Sequence, residues 1–198
     1  MKVADRRRGA LALATLVGLA GLSVLLGTAG GGDDGSPRSS FSLGAARGFS
    51  DFPVYYAGDS VQGVPLVAVL RREDAANYVS FVYGQCDTQD EVGCAPPGEV
   101  QVWPACVRNP SVYARNRSPV APRPVPSTVR GVPAAGFEEG HRLEIQTGKS
   151  TVVVFGHTPQ FVRALAAELR GVNLAVERGA PLPAPAQGVL DGSLSCTG

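Results

Sequence analysis

The sequence has few charged residues and almost no excess of either sign. Charged side chains are 18% of its 198 residues, and 18 basic residues stand against 17 acidic ones, so the formal net charge is +1. Nucleic-acid-binding domains carry a concentrated positive patch, and this charge balance therefore excludes a nucleic-acid partner. Apolar residues make up 44% of the chain, which is too many for a disordered chain and enough for the core of one domain.

Residues that carry chemistry are also scarce. The only histidines are His141 and His157, and the GxSxG motif of serine hydrolases is absent. A phosphate-binding loop at TGKST would need glycine at the position of Leu143, and the spacing of the four cysteines matches no zinc pattern. We therefore expect no catalytic residue set, no cofactor and no metal, with a hydrolase that uses His141 or His157 as the open alternative.

An apolar leader follows a basic cluster near the N terminus. Three arginines at residues 6–8 precede residues 9–32, which contain no charged side chain. The densest part, ALALATLVGLAGLSVLL, is intermediate in length between a membrane-spanning helix and a signal-peptide core, and the small residues GTA that follow suit a signal peptidase. Residues 1–29 are predicted to be a signal peptide or an N-terminal membrane anchor, with membrane contact through residues 9–30 and the remaining chain outside.

Composition divides the remaining chain into three segments. Residues 30–48 are rich in Gly and Ser with few apolar anchors, which is typical of a flexible linker. Residues 49–178 are predicted to be an extracytoplasmic domain, and residues 179–198 a Pro/Gly-rich tail. Within the domain, the stretch SPVAPRPVPS at residues 118–127 predicts an extended connector.

Alternating apolar and polar residues predict strands through most of the domain. HRLEIQT places Leu143, Ile145 and Thr147 on one face, as a half-buried antiparallel strand requires, and YVSFVY and EVQVW show the same period. The segment from residue 128 to residue 155 predicts a meander of three strands.

One helix is marked at both ends. Thr158 is a suitable N-cap, Pro159 fits the first helical position and Gly171 is placed to follow the last turn. Phe161 and Leu165 lie on its apolar stripe, which needs an apolar surface to cover. The predicted fold class is α+β, a single domain of mainly antiparallel sheet with one C-terminal amphipathic helix packed on it.

The cysteine count is even, which in an exported protein favours disulfide bonds. Four cysteines allow three pairings. Cys86 and Cys94 bracket the short loop DTQDEVG, and if they pair, Cys106 pairs with Cys196 and holds the tail.

Three stretches of the domain carry a resemblance to known proteins. FPVYYAGDSVQGVPLVAV, CAPPGEVQVWPACVRNP and RGVPAAGFEEGHRLEIQTGKSTVVVFG resemble segments of exported proteins of GC-rich bacteria. The last stretch is also similar to extracytoplasmic domains of anti-sigma-factor-associated and lipoprotein-carrier-like proteins. The likeness covers about residues 49–172 and implies an exported domain, without catalytic residues to carry over.

These observations predict a membrane-anchored or secreted envelope protein. Its domain is expected to be a non-enzymatic binding or interaction module for an envelope protein, a cell-wall polymer or an amphiphilic ligand. Aromatic residues such as Tyr78 and Trp103 form either a binding groove or core packing. A histidine in a pocket beside a serine or a carboxylate would instead favour the secreted hydrolase.

Overall fold

The computed structural model describes residues 39–73, 77–85, 95–116 and 123–196. No helix within these ranges is long and apolar enough to cross a membrane. The predicted leader at residues 1–29 lies outside the described residues, as do Cys86 and Cys94. The predictions for those features stay predictions.

Strands account for most of the described secondary structure. The strands are β1 (Ser39–Ser40), β2 (Tyr55–Tyr56), β3 (Ser60–Val61), β4 (Val64–Arg72), β5 (Tyr78–Tyr83), β6 (Gly98–Pro104), β7 (Val125–Val129), β8 (Val132–Phe137), β9 (Arg142–Thr147), β10 (Ser150–Gly156) and β11 (Arg170–Gly171). The α-helices are α1 (Leu43–Gly48), α2 (Pro110–Asn116) and α3 (Pro159–Glu168), and a 3-10 turn covers Glu138–Gly140. The predicted antiparallel sheet with few helices is confirmed.

Two antiparallel meanders join to form one large sheet. The strand order is β1-β4-β5-β6-β10-β9-β8-β7, with β3 paired to β4, and β2 pairs with β11 in a separate two-stranded sheet. The meanders meet at β6 and β10, which are in register from Gly98↔Gly156 to Pro104↔Ser150. Because the two meanders are joined edge to edge at this junction, each face of the sheet carries side chains from both of them.

The second meander has four strands, so the prediction of three strands was wrong. The difference arises at Arg130 and Gly131, which turn the chain between β7 and β8 with φ values of 47° and 89°. Two-residue hairpin turns of this kind require positive φ at both positions, and arginine is not a residue that signals one. The proline-rich residues 118–127, predicted as a connector, also contribute residues 125–127 to β7.

The large sheet has an apolar face and a polar face. Because side chains alternate along a strand, Val100 and Val102 of β6 lie on one face and Glu99, Gln101 and Trp103 on the other. We call the first the core face. Its fully buried residues include Val79, Phe81, Tyr83, Val100, Val102, Ile145, Val152 and Val154, and they belong to one cluster with residues of α1, α3 and the small sheet.

Helix α3 begins where the sequence predicted. Thr158 is the N-cap, and its Oγ1 accepts a hydrogen bond from the backbone N–H of Phe161 at 3.1 Å. Pro159 occupies the first turn, where its missing N–H costs nothing.

The end of α3 differs from the prediction. The helix stops at Glu168, and Leu169 is already extended, with φ −51° and ψ 136°. Gly171 therefore does not cap the helix but lies in β11. A Cβ atom there would lie 2.1 Å from the carbonyl oxygen of Leu174, so this close approach of the backbone, and not a helix end, requires glycine.

The folded domain extends beyond its predicted limits on both sides. Helix α1 falls within the predicted linker at residues 30–48, and its Ala46 is fully buried. In the predicted tail at residues 179–198, Leu182 and Val189 are buried. The predicted linker contains few apolar residues, and prolines and glycines interrupt the predicted tail. These features make both segments resemble linkers, but their buried apolar residues anchor them.

Candidate functional site

The register of the central strands arranges the polar face in rows across the sheet. Glu99 of β6 pairs with Val82 of β5 on one side and with Phe155 of β10 on the other. Gln101, two residues along β6, pairs with Ser80 of β5. Residues two apart on one strand share a face, so these side chains are neighbours although they come from distant parts of the sequence.

A chain of hydrogen bonds fixes the Glu99 carboxylate. The hydroxyl of Ser80 and the Nε2 amide of Gln101 both donate to Oε1 of Glu99, the amide at 3.0 Å. Trp103 Nε1 donates in turn to Oε1 of Gln101 at 3.1 Å. Since Gln101 is held at both ends, its orientation is determined, and we call these four residues the Glu99 chain.

A cavity of about 510 Å³ lies over the Glu99 chain. Its polar lining includes Ser80, Glu99 and Gln101, and Arg72 and Tyr78 line it as well. Its apolar lining consists of Val67, Ala68, Leu70, Val82 and Pro96. The volume and the mixture of apolar walls with a few placed polar groups are typical of small-molecule sites. We call it the Glu99 cavity.

The Glu99 carboxylate has no cationic partner among the residues that the structure describes. Every ion pair found within those ranges joins other residues. The same part of the chain contains no group of three or more His, Cys, Asp or Glu side chains that could hold a metal ion. The two hydrogen bonds from Ser80 and Gln101 come from neutral groups, so the negative charge of Glu99 is positioned but not balanced.

A stack of rings and guanidinium groups borders the Glu99 cavity. Tyr78 and Trp103 stack with their centroids 4.2 Å apart and their planes inclined by 23°. The guanidinium carbon of Arg72 lies 5.9 Å from the Tyr78 ring, and that of Arg108 lies 5.2 Å from the Trp103 ring. Cation–π contacts of this length are favourable. The aromatic residues at this site therefore contact one another and arginines.

A second carboxylate of the same face, Glu144 of β9, is paired with two arginines. Arg108 contacts it in bidentate fashion, with Nη2 2.5 Å from Oε1 and Nε 3.3 Å from Oε2. Arg142 Nε lies 3.4 Å from Oε1, and Arg142 Nη1 lies 2.7 Å from Oε1 of Glu138. Because the Glu144 side chain is only 5% exposed, these pairs balance a charge that burial would otherwise destabilise.

The C-terminal segment lies against this second carboxylate. A disulfide bond joins Cys106 to Cys196, the pairing predicted for these two residues. Asn109 Nδ2 donates to the carbonyl oxygen of Val189, and Leu194 lines a cavity of about 510 Å³ together with Arg108, Arg142 and Glu144. The segment therefore lies beside the paired carboxylate, and none of its described residues lines the Glu99 cavity.

The two histidines named for the alternative hydrolase, His141 and His157, each contact a backbone carbonyl oxygen and border one cavity. His141 Nδ1 is 3.1 Å from the carbonyl oxygen of Gly156, and His157 Nε2 is 3.1 Å from the carbonyl oxygen of Ala95. Both imidazoles line a cavity of about 250 Å³, and Glu99 lines it as well. Glu99 thus borders the histidine cavity on one side and the Glu99 cavity on the other.

Two other polar groups, the buried Tyr83 hydroxyl and the half-buried Arg130 guanidinium, bond to the backbone of the fold. The Tyr83 hydroxyl accepts from the backbone N–H of Ala57 at 2.8 Å and donates to the carbonyl oxygen of Gly58 at 3.1 Å. Burial raises the pKa of Tyr83 well above its usual range. Arg130 Nε donates to the carbonyl oxygen of Ala180 at 2.6 Å, and burial lowers the Arg130 pKa. Neither group lines the cavities described above.

Sequence reasoning singled out the histidines but not Glu99 or Glu144. A signal was present, because the alternation in EVQVW that puts Val100 and Val102 on the core face puts Glu99 opposite them. Arg142 lies two residues from Glu144 on β9 and therefore shares its face, but the sequence could not indicate that Arg108 would meet Glu144 and not Glu99, since that contact joins a loop to another strand.

Comparisons of the chain with protein-family models, with curated protein sequences and with solved structures found no match. The resemblance to exported proteins of GC-rich bacteria stays a prediction.

Proposed function

We propose that this chain is a membrane-anchored or secreted envelope protein with a non-enzymatic binding domain. In this proposal the domain binds a small amphiphilic ligand in the Glu99 cavity. The uncharged leader behind three arginines at residues 6–8 supports export. The disulfide between Cys106 and Cys196 supports an oxidising compartment.

In this proposal α3 is the C-terminal helix that covers the core face, which leaves the polar face for the ligand. Gly98 of β6 supports that role. A Cβ atom at Gly98 would lie 2.6 Å from Cε1 of Phe161 and 2.8 Å from Cδ1 of Leu165. The helix and the sheet thus approach so closely at this point that a side chain on Gly98 would not fit between them.

The observation that carries the proposal is the composition of the Glu99 cavity. Apolar walls, including Val67, which is 43% exposed, stand beside a carboxylate that Ser80 and Gln101 hold in place. A ligand with an apolar part and a polar end would cover the exposed apolar surface and meet the polar groups at once. A carboxylate that only faced solvent would be hydrated by water and would not need two protein donors to fix its orientation.

Filling the cavity tests the proposal. Ala68→Phe places a ring in the lining of the Glu99 cavity, and Ala167→Phe places the same ring on the exposed side of α3. Trp103 is the only tryptophan of the chain and belongs to the Glu99 chain, so its fluorescence reports on the cavity. The full chain in a neutral detergent is titrated with n-hexanol and with n-hexylammonium.

We expect a saturable fluorescence change in the wild type and in Ala167→Phe, with at least about tenfold weaker binding in Ala68→Phe. The proposal fails if neither probe gives a saturable change in the wild type. It also fails if Ala68→Phe binds both probes as the wild type does, because the probes would then lie elsewhere.

A secreted hydrolase is the second candidate, and one observation favours it. His141 and His157 line the same cavity as the carboxylates Glu99 and Glu138. Because the Gly156 carbonyl only accepts hydrogen bonds, its contact with Nδ1 of His141 makes Nδ1 the donor and leaves Nε2 of the neutral ring as a base. The described lining of this cavity contains no Ser, Thr or Cys, so the base would have to activate water.

Replacing both histidines separates the two candidates. A double variant, His141→Gln with His157→Gln, is assayed beside the wild type for hydrolysis of generic ester and peptide substrates. Turnover that is present in the wild type and lost in the double variant supports the hydrolase. Probe binding without any turnover supports the binding module.

A further inference from the structure

The Glu99 carboxylate has one oxygen that receives no hydrogen bond from any residue the structure describes. Both of its hydrogen bonds, from Ser80 and from Gln101, go to Oε1. No other described residue donates to Glu99, and none forms an ion pair with it. A partly buried carboxylate without a counter-ion is costly, and this one is held facing a cavity large enough for a ligand.

From this we propose that the Glu99 cavity selects an aliphatic primary amine, whose ammonium group is the missing counter-ion of Glu99. The inference rests on the proposed binding function and names the ligand class. An ammonium group has three N–H donors and no acceptor. It would give one N–H to Oε2 of Glu99 and a second to the lone pairs of the Ser80 hydroxyl, which uses its own hydrogen on Oε1.

The hydrogen bonds that the Glu99 carboxylate already accepts disfavour a guanidinium group as its ligand. A guanidinium binds a carboxylate best through two parallel N–H···O bonds, one to each oxygen. Oε1 of Glu99 already accepts from Ser80 and from Gln101, so only single-point contact at Oε2 is available. A compact point charge suits that geometry better than a planar fork does.

The rings at this site disfavour a quaternary ammonium group. Such groups are recognised by the free faces of aromatic rings. Tyr78, the aromatic residue in the described lining of the cavity, stacks on Trp103 and has the guanidinium of Arg72 5.9 Å from its ring. The ring is therefore engaged and offers no free face of the kind that a quaternary ammonium group requires.

The apolar lining accounts for the aliphatic part of the ligand. Val67, Ala68, Leu70, Val82 and Pro96 line the same cavity as Glu99. An alkyl chain that extends from the ammonium group would cover these side chains and gain the free energy of removing apolar surface from water. A small inorganic or strongly hydrated cation would leave them exposed.

Three probes of equal chain length test the inference. The full chain is titrated with n-hexylammonium, n-hexanol and n-hexanoate at neutral pH, with Trp103 fluorescence as the readout. We expect n-hexylammonium to bind at least about tenfold more tightly than n-hexanol, and n-hexanoate to bind least because Glu99 repels it. Comparable binding of n-hexanol and n-hexylammonium would overturn the amine assignment and leave the binding module standing.

The matched variants are Glu99→Gln and Glu139→Gln. Both remove one negative charge with little change of shape, but Glu139 is exposed on the turn before β9. We expect Glu99→Gln to bind n-hexylammonium and n-hexanol equally and Glu139→Gln to retain the preference of the wild type. An undiminished preference in Glu99→Gln overturns the inference. If Glu99→Gln does not fold, the order of the three probe affinities for the wild type decides whether the cavity selects an amine.

Discussion

Glu99 and Glu144 lie on the same face of one sheet, on strands separated only by β10, yet their surroundings differ. Glu144 is 5% exposed and is bonded to two arginines. Glu99 is partly buried and is bonded to a hydroxyl and an amide. A buried carboxylate that is paired with cations serves the fold, whereas one held only by neutral donors still requires a cation. The contrast shows that two carboxylates on one face can differ in their neighbours alone, and it is these neighbours that make Glu99 the binding carboxylate of the proposed function.

The largest effect is expected on the Glu144 side, where the disulfide holds the C-terminal segment. Replacing Cys106 and Cys196 by serine opens a loop with a sequence separation of 90, which should lower the free energy of unfolding by about 4 kcal/mol. Urea denaturation of the variant and the wild type measures this difference in unfolding free energy. The response of Trp103 to n-hexylammonium should persist in the folded variant, because the segment does not line the Glu99 cavity. An unchanged urea midpoint would contradict the structural role of the segment.

The next effect is expected from Glu144→Gln. It leaves Arg108 and Arg142 without their shared carboxylate, and their side chains are only 28% and 20% exposed. With allowance for that exposure, the free energy of unfolding should fall by about 2–3 kcal/mol. The control is Glu138→Gln, whose side chain is 55% exposed and whose loss should cost less than about 1 kcal/mol. Equal losses of unfolding free energy in the two variants would show that the burial of Glu144 does not strengthen its contribution to stability.

The ionisation of Tyr83 sets an alkaline limit to the pH range in which the stabilities of the Glu99 and Glu144 variants can be compared. Its folded pKa is raised above the unfolded value of 10.0 because burial disfavours the phenolate. The stability that it contributes is therefore complete below pH 10 and is lost as the pH rises above 10. Thermal melting across this range should show the decline, and Tyr83→Phe should reduce it.

The Tyr83→Phe variant itself should cost about 1–3 kcal/mol at neutral pH, because the backbone N–H of Ala57 loses its acceptor. Tyr113→Phe is the control, since Tyr113 is 48% exposed. An identical alkaline decline in Tyr83→Phe and in the wild type would assign the decline to another group.

The smallest effect on stability is expected from Glu99→Gln. The amide retains an oxygen for the Ser80 hydroxyl, and the change removes a charge that no described cation balances. The free energy of unfolding should change by less than about 1 kcal/mol, although the preference for n-hexylammonium over n-hexanol is lost. A loss as large as that of Glu144→Gln would mean that Glu99 is also a structural carboxylate.

The sequence predicted much of the scaffold but little of the site. Local patterns were sufficient for the alternating strands and for the start of α3 at Thr158. They were insufficient at Arg130, whose positive φ carries no signal, and at Gly171, whose reason is the carbonyl oxygen of Leu174. His141 and His157 were identified as candidates from their rarity, but their common cavity depends on the pairing of β9 with β10.

By itself, the sequence determined the period of each strand, and with it which side chains share a face. The alternation along a strand is a property of the backbone, so Glu99 had to lie opposite Val100 wherever the strand was placed. Only the tertiary structure decided which groups from other parts of the chain each carboxylate would meet. The pairing of β6 with β10 joins two meanders, and the loop after β6 carries Arg108 to Glu144 rather than to Glu99. Those contacts span long distances in sequence, and no local pattern encodes them.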